Sequence, residues 1–287
     1  MKRTACGLIG MALWGCSDPL KDVELVSEPR VLGARVEVSG EPGRASPAAG
    51  EAASVRWLVA APEPDPALGW SLLVCGAAPE GSDLPACAEE PFAVASVVDP
   101  LPGEPRIDFT VPSDTAALSL AVLGTVCPGS APSESGGCSG GGGMLVSFDF
   151  ALAPDVVNYN PVLEPESVLF DGAPWAAGSD CAILPAAVPG SGHTLDLLLD
   201  EADREPLVAP TSVDPEREPL QASHFATGGE LQRAFTVFHA DQNDLTASVS
   251  WKAPDTAPPS GLVRFFFVVR DSRGGTDWLE RAVCVAP

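Results

Sequence analysis

The sequence predicts an all-β protein made of two tandem β-sandwich domains. Apolar and polar residues alternate with a period of two in many short segments, and no window keeps the helical period of 3.6 residues over three turns. The chain of 287 residues contains 28 glycines and 30 prolines, which favour many turns between short elements. Its length suits two domains, each large enough to bury a hydrophobic core.

The first half contains six predicted strands separated by glycine and proline turns. In the first strand Val36 and Val38 lie on one face, while Arg35 and Glu37 lie on the other, as expected of a half-buried strand. The predicted strands cover residues 32–38, 53–59, 70–75, 107–111, 117–127 and 144–150.

The second half repeats this pattern with six further strands. They are predicted at residues 167–170, 194–199, 234–238, 245–251, 262–270 and 277–285. Residues 271–276 join the last two strands and include Gly274 and Gly275, which supply the positive φ angles that tight hairpin loops need. Short strands with turns between them indicate a sandwich in each half.

We place the domain boundary within residues 154–161, which gives a first domain of residues 25–153 and a second of residues 154–287. Residues 25–153 hold 5 basic and 16 acidic residues, and residues 154–287 hold 8 and 20, so both halves are acidic. The formal net charge of −23 excludes a general nucleic-acid binder, because the chain could not neutralise a run of phosphates.

The N-terminus predicts an exported chain. Lys2 and Arg3 precede a short apolar stretch, residues 4–15, that is too short to span a bilayer as a helix. The tetrad LWGC at residues 13–16 resembles the lipobox of bacterial lipoproteins. The resemblance implies that residues 1–15 are a signal peptide, that Cys16 carries lipid, and that residues 16–24 form a tether. Trp14 departs from the usual small or aliphatic residue, and an ordinary signal peptide is the alternative.

Lipid attachment implies a location in the cell envelope, with the membrane as a partner. Each buried methylene contributes about 0.8 kcal/mol, so several acyl chains anchor a protein stably. Ser17 follows the lipidated cysteine, and the usual sorting rule for such lipoproteins indicates the outer membrane of a Gram-negative bacterium.

The cysteine count agrees with export. Removing Cys6 with the signal peptide and assigning Cys16 to lipid leaves six of the eight cysteines, which predicts three disulfides in an oxidising compartment. Six cysteines allow fifteen pairings. Proximity favours the pairs Cys75–Cys87, Cys127–Cys138 and Cys181–Cys284. Zinc is a weaker alternative, because no pair has C-x-x-C spacing and no histidine lies near one.

Two segments resemble a known fold family. Residues 30–57 (RVLGARVEVSGEP…PAAGEAASVRW) look like the first strands of immunoglobulin-like domains in bacterial surface lipoproteins. Residues 261–285 (GLVRFFFVVRDSRGGTDWLERAVCV) resemble the final hairpin of such a domain, as in cadherin-like modules. The resemblance implies two tandem immunoglobulin-like β-sandwich domains after a lipoprotein signal peptide, and it carries no catalytic residues.

Motifs for catalysis are weak. Residues 137–141, GCSGG, match the G-x-S-x-G pattern of serine hydrolases, but that elbow needs a following helix and here a glycine run and a strand follow. A loop tip closed by a disulfide explains the pattern better. The three histidines, His193, His224 and His239, have no metal-ligand spacing, and no feature of the sequence singles out partners for a triad.

Calcium is the cofactor for which the sequence offers some support. Asp241, Asn243 and Asp244 are similar to an acidic cluster of cadherin-like modules, and Asp271 and Asp277 flank the last hairpin loop. Calcium binds six to eight oxygens, which loop carboxylates supply. The flanking family motifs are missing, so the sequence favours a protein without a cofactor.

Residues 201–218 form an acidic, proline-rich loop that we interpret as a solvated insertion, with a binding loop as the alternative. Taken together, the sequence predicts a non-catalytic envelope lipoprotein that acts as a binding or structural module, with an envelope protein or a glycan as its partner. The alternatives are a subunit of a larger surface assembly joined by β-strand addition, a calcium-dependent adhesion module, and a carbohydrate-active enzyme or peptidase on a β scaffold.

Overall fold

The computed structural model describes residues 23–78, 86–153, 157–207 and 216–286, and this part of the chain is all-β, with two short 3₁₀ turns. The strands of the N-terminal half are β1 (Arg30–Val38), β2 (Ala52–Ala60), β3 (Ala67–Gly76), β4 (Ala93–Pro102), β5 (Arg106–Thr110), β6 (Ser119–Pro128) and β7 (Met144–Ala151).

These seven strands form two antiparallel sheets, with strand orders β1-β2-β5 and β4-β3-β6-β7. The chain passes between the sheets at β2–β3, β4–β5 and β5–β6, so neither sheet is a simple meander. Because alternate side chains of each strand face inward, both sheets contribute to one core. That core contains Val36, Val55, Trp57, Leu72, Val74, Ile107, Phe109, Leu120, Val122 and Phe150.

The described residues of the C-terminal half form twelve strands, several of them only two residues long. They are β8 (Val168–Phe170), β9 (Ala173–Pro174), β10 (Ala186–Ala187), β11 (Gly192–Leu198), β12 (Pro206–Leu207), β13 (Glu216–Arg217), β14 (Leu220–Ala226), β15 (Glu230–Leu231), β16 (Phe235–Phe238), β17 (Thr246–Lys252), β18 (Leu262–Arg270) and β19 (Thr276–Val285). The 3₁₀ turns span Pro165–Ser167 and Glu201–Asp203.

Two five-stranded sheets enclose the core of this half, with strand orders β10-β19-β18-β14-β16 and β15-β17-β11-β8-β9. All pairings in them are antiparallel except β10 with β19. Trp175, Trp251 and Phe265 meet in edge-to-face contacts at the centre of the core, with ring centroids 4.9–5.1 Å apart. Both halves are therefore consistent with β-sandwiches.

Two of the longer strands, β4 and β14, lie where the sequence analysis predicted none. Strand β4 ends in Asp99, Pro100, Leu101 and Pro102, and proline weakens the expectation of a strand because it cannot donate to a ladder. The structure places β4 at the edge of its sheet, where proline is tolerated. Strand β14 directly follows the proline-rich acidic loop, which hid its alternation.

The two halves pack against each other through sheet faces. The outward face of β1 and β2 meets the outward face of β14, β18 and β19, and a third apolar cluster fills the contact. Its members are Val26, Leu32, Leu58, Ala60, Phe266 and Val268, with Phe225 and Trp278 packed against them. This seam is a hydrophobic core of its own, so burial of apolar surface holds the halves together.

The segment before β1 also runs through this seam. Val26 donates its amide to the Ala226 carbonyl at 2.8 Å, and the Ala226 amide donates to the Glu24 carbonyl at 2.9 Å. Leu25 thereby forms a parallel bridge with Ala226 at the end of β14. The chain thus enters the described structure between the two halves.

Polar groups complete the seam. Asn160, which is 3% exposed, donates from Nδ2 to the Val36 carbonyl at 2.7 Å and accepts at Oδ1 from the Thr276 amide at 3.0 Å. Asp277 pairs with Arg35 of β1 and accepts from the Leu163 amide at 2.9 Å. These buried bonds are directional, so they fix the relative orientation of the halves.

Candidate functional site

The predicted lipidation site lies outside the described residues. This is true of Cys16, of the signal peptide at residues 1–15, and of the tether as far as residue 22. The described chain begins at Val23, whose carbonyl accepts from Arg30 Nη1 at 2.7 Å. Among the residues described, no helical segment has the length and apolarity needed to cross a bilayer.

The structure pairs the six remaining cysteines as proximity in the sequence favoured. The bonds are Cys75–Cys87, Cys127–Cys138 and Cys181–Cys284, with Cα–Cα distances of 5.5, 5.5 and 5.6 Å. All three distances lie at the usual value for a disulfide. The first two close loops of the N-terminal half, whereas the third ties the start of the C-terminal half to its last strand.

The G-x-S-x-G segment is part of the loop closed by Cys127–Cys138. Thr125 of β6 donates from its hydroxyl to the Gly136 carbonyl at 2.7 Å, and the Ser139 amide donates to the Ala131 carbonyl at 2.9 Å. The loop folds over β3 at Gly69, where the Ser130 carbonyl leaves no room for a side chain. Because no helix follows Ser139, this segment lacks the geometry of a nucleophile elbow.

The calcium candidates do not form one site. Asp271 accepts at Oδ1 from the amides of Arg273 and Gly275 in its own hairpin loop, and Asp277 is bound in the seam. Asp244 accepts from the Thr246 amide at 3.0 Å in a tight turn. The exposed Asp241 and Asn243 lie in the same turn. Within the described ranges, no three His, Cys, Asp or Glu side chains are arranged to hold a metal ion.

The acidic loop is fixed at both ends. Strands β12 and β13 pair with each other, and residues 208–215 between them lie outside the described part of the chain. Arg204, only 2% exposed, donates from Nη1 to the Gln242 carbonyl at 2.6 Å and from Nη2 to the His239 carbonyl at 3.0 Å. The described ends of the acidic loop, residues 201–207 and 216–218, form its stem, and through Arg204 this loop stem holds the turn that contains Asp241, Asn243 and Asp244.

The loop stem also buries a carboxylate. Glu218 has no exposed surface; its side chain accepts from the Glu205 amide at 3.1 Å and lies 2.9 Å from Arg273 Nε. Burial raises the pKa of Glu218 to about 8; the nearby Asp271 carboxylate adds to this effect, and Arg204 opposes it. The ion pair with Arg273 favours the charged form of Glu218, whereas burial and Asp271 favour the protonated form, and none of these contacts was visible in the sequence.

The structure brings together a serine, a histidine and an aspartate that sequence reasoning did not connect. Ser191 Oγ lies 2.7 Å from His193 Nε2, and His193 Nδ1 lies 2.8 Å from Asp171 Oδ2. Asp171 occupies the β8–β9 turn with a φ of +50°, next to Gly172 with a φ of +75°. The His193 ring packs 4.7 Å from Phe170 between centroids. The order of these groups is that of a hydrolytic triad.

The hydroxyl proton of Ser191 is not directed at His193, as catalysis by a triad would require. Ser191 Oγ also lies 2.5 Å from the Val188 carbonyl, which can only accept, so the hydroxyl proton points there. A general base takes up the proton of the nucleophile directly, and here that proton is directed to the Val188 carbonyl instead of His193 Nε2. The arrangement therefore joins the turns at Asp171 and Ser191 without activating the serine.

The surrounding electrostatics agree with this role. Partial burial raises the pKa of Asp171, but the hydrogen bonds from His193 and from the Thr194 amide outweigh it, so the net pKa lies below the ordinary value. His224 is different: it is 1% exposed on β14, and burial lowers its pKa to about 4.

Strand β4, the outermost strand of its sheet, carries three exposed apolar side chains. The side chains of Val94, Val98 and Leu101 are 68, 58 and 49% exposed. An edge strand presents unpaired N–H and C=O groups, and natural edges are usually protected by charge or by cover. Residues 91–98 contain no charged side chain, whereas Asp99, Pro100 and a break in the pairing with β3 after Val97 interrupt the second half of the strand.

No protein-family model matches the chain, and no curated protein is significantly similar to it.

Proposed function

We propose that the chain is a non-catalytic lipoprotein of the bacterial cell envelope, in which two immunoglobulin-like sandwiches form one binding module at the membrane surface. The strand orders support the fold assignment, because each half has two mainly antiparallel sheets whose connections cross between them. The disulfides support an oxidising compartment.

The observation that carries this proposal is the path of the chain into the seam. Glu24 and Val26 are hydrogen-bonded to Ala226, and only eight residue steps separate Glu24 from Cys16. Eight steps span at most about 29 Å when fully extended. A lipid on Cys16 would therefore hold both halves close to the bilayer, which suits a module that presents its free sheet edges to an envelope partner.

An envelope protein is the partner class that the surface favours over a glycan. The exposed apolar residues of β4 are aliphatic and lie along a free strand edge, which suits main-chain pairing with another polypeptide. The outer membrane remains the proposed location, on the strength of Ser17 after the lipidated cysteine. A subunit of a larger surface assembly is the second proposal, and the same edge favours it.

Substitution of the lipid-bearing cysteine tests the proposal. We expect Cys16→Ser to abolish labelling with a fatty-acid analogue and to release the chain from the membrane fraction of a Gram-negative host. Cys6→Ser is the matched control, because it removes a cysteine of the signal peptide and should leave labelling and fractionation unchanged. Membrane association of Cys16→Ser that persists until detergent is added would contradict the proposal.

A further inference from the structure

A cavity lies where the segment that joins the two halves passes beside the loop stem. This segment, residues 157–164, is extended, and Tyr159 and Val162 are exposed on it. The cavity has a volume of about 440 Å³, and its wall consists of this segment, of residues 200–205 and of Gly43. This volume lies within the usual range of ligand-binding cavities. We call it the junction cavity.

The junction cavity is remote from the point at which the chain enters the described structure. Arg30, the first residue of β1, donates to the Val23 carbonyl, and β1 then runs to Val38. A strand rises about 3.3 Å per residue, so roughly 26 Å separate the two ends of β1. Gly43 lies in the loop that follows the far end. A chain anchored through its N-terminus would therefore hold the junction cavity away from the bilayer and open to a partner.

Three carboxylates of the cavity wall have no cation to balance them. Among the described residues, no Lys or Arg side chain forms an ion pair with Glu164, Asp200 or Asp203. The Asp203 carboxylate is fixed in place, because it accepts from the Val162 amide at 2.9 Å and from the Asp200 amide at 3.0 Å. Burial raises the pKa of Asp203, and the like charges of Asp200 and Asp277 add to this effect against the two amides. A positive charge placed here would be stabilised.

We propose that the junction cavity binds a basic segment of a partner polypeptide, whose lysine or arginine side chains enter it. Such a side chain combines an aliphatic stem with a cationic head. The stem matches Val162 and the ring of Tyr159, and the head matches the unbalanced carboxylates. A cation close to the face of Tyr159 gains further stabilisation from the ring.

The tyrosine is already held in position for this contact. The Tyr159 amide donates to Glu205 Oε1 at 3.0 Å, and its hydroxyl donates to Glu41 Oε1 at 3.2 Å. The next residue, Asn160, donates its amide to the Gly43 carbonyl at 2.6 Å. Because the backbone and the hydroxyl are both bound, little conformational entropy is lost when a ligand packs on the ring.

Other occupants match the cavity less well. In the part of the chain that the structure describes, no three acidic, histidine or cysteine side chains are arranged to hold a metal ion, so the charge of the wall suits a larger cation. A second copy of this chain carries a formal charge of −23 and would be repelled. Charge complementarity therefore favours a basic polypeptide. The junction cavity is separate from the β4 edge and from Cys16, so this inference and the proposed function can fail independently.

Binding of a fluorescent peptide to the purified full chain in detergent tests the inference. The probe is a hexapeptide of alternating lysine and leucine, and the matched control peptide carries acetylated lysines, which are uncharged. We expect the lysine peptide to bind at least about tenfold more tightly than the control, with an affinity that falls as the salt concentration rises. Equal affinities for the two peptides, or no binding of either, would overturn the proposal.

Single variants distinguish the junction cavity from the general negative charge of the chain. Glu164→Gln and Tyr159→Leu should each weaken binding of the lysine peptide at least about threefold, whereas Tyr159→Phe keeps the ring and should change it less than about 1.5-fold. Glu134→Gln is the matched control, because it removes an exposed acid from a loop of the N-terminal half. Urea midpoints check that each variant folds, and Glu164 is exposed, so its replacement should be tolerated. Equal losses in Glu164→Gln and Glu134→Gln, or an unchanged affinity in Glu164→Gln, would overturn the proposal.

Discussion

Replacement of Glu218 by glutamine tests whether burial keeps a carboxyl protonated inside this protein. The folded-state pKa of Glu218 is about 8, whereas its ordinary value is 4.5, because the side chain has no exposed surface and lies near Asp271. A carboxyl with a raised folded pKa contributes most to stability below pH 4.5, and this contribution is lost as the pH rises through 8. Glutamine has nearly the same shape and no ionisation.

The useful pH window is set by a second buried group. His224 has its folded pKa lowered from 6.5 to about 4, so its contribution is present above pH 6.5 and is lost as the pH falls through 4. Below pH 6.5 the two effects oppose each other, and above it Glu218 dominates. One pKa unit corresponds to about 1.4 kcal/mol, and the dependence flattens near the pKa, so the expected loss between pH 6.5 and 8 is at most about 1.7 kcal/mol. The contact with Arg273 reduces this figure.

Urea unfolding at several pH values measures the effect, because urea does not screen charges as guanidinium does. The wild-type free energy of unfolding should fall relative to that of Glu218→Gln between pH 6.5 and 8. Glu218→Asp is a useful second variant, since it keeps the ionisable group but shortens the side chain. If the difference between wild type and Glu218→Gln is constant across this window, Glu218 is ionised and held by Arg273, and the reasoning is wrong.

Two further predictions concern the seam and the serine. Asn160→Ala removes buried hydrogen bonds to both halves and should lower the free energy of unfolding, measured in urea, by about 2–4 kcal/mol. The control Asn243→Ala changes an exposed side chain and should alter this free energy by less than about 0.5 kcal/mol. Equal effects of the two variants would contradict the bridging role of Asn160. Wild-type protein should not react with a fluorophosphonate probe, because the Ser191 hydroxyl proton is engaged; a labelled band that disappears in Ser191→Ala would refute this.

The strand content and the disulfide pairs were accessible to sequence reasoning because they depend on local pattern. Alternation in residues 32–38 and 262–270 predicted strands that the structure contains as β1 and β18, and the hairpin at 271–276 followed from its glycines. The cysteine pairs Cys75–Cys87 and Cys127–Cys138 are separated by 12 and 11 residues, so proximity alone favoured them. Strand β4 was not predicted, because its prolines interrupt the alternation of apolar and polar residues that is typical of a strand.

By itself, the sequence determined the β class of this protein and its cysteine pairs, whereas its export signal stays a prediction. Periodicity, apolar length and spacing act within a few residues and can be read along the chain. Only the tertiary structure showed that Glu218 is buried away from solvent and that Asn160 bonds to both halves. It also showed that β4 is the outermost strand of its sheet. Such properties depend on contacts between distant residues, such as Arg35 with Asp277, which are 242 positions apart. Desolvation and edge exposure exist only once those contacts have formed.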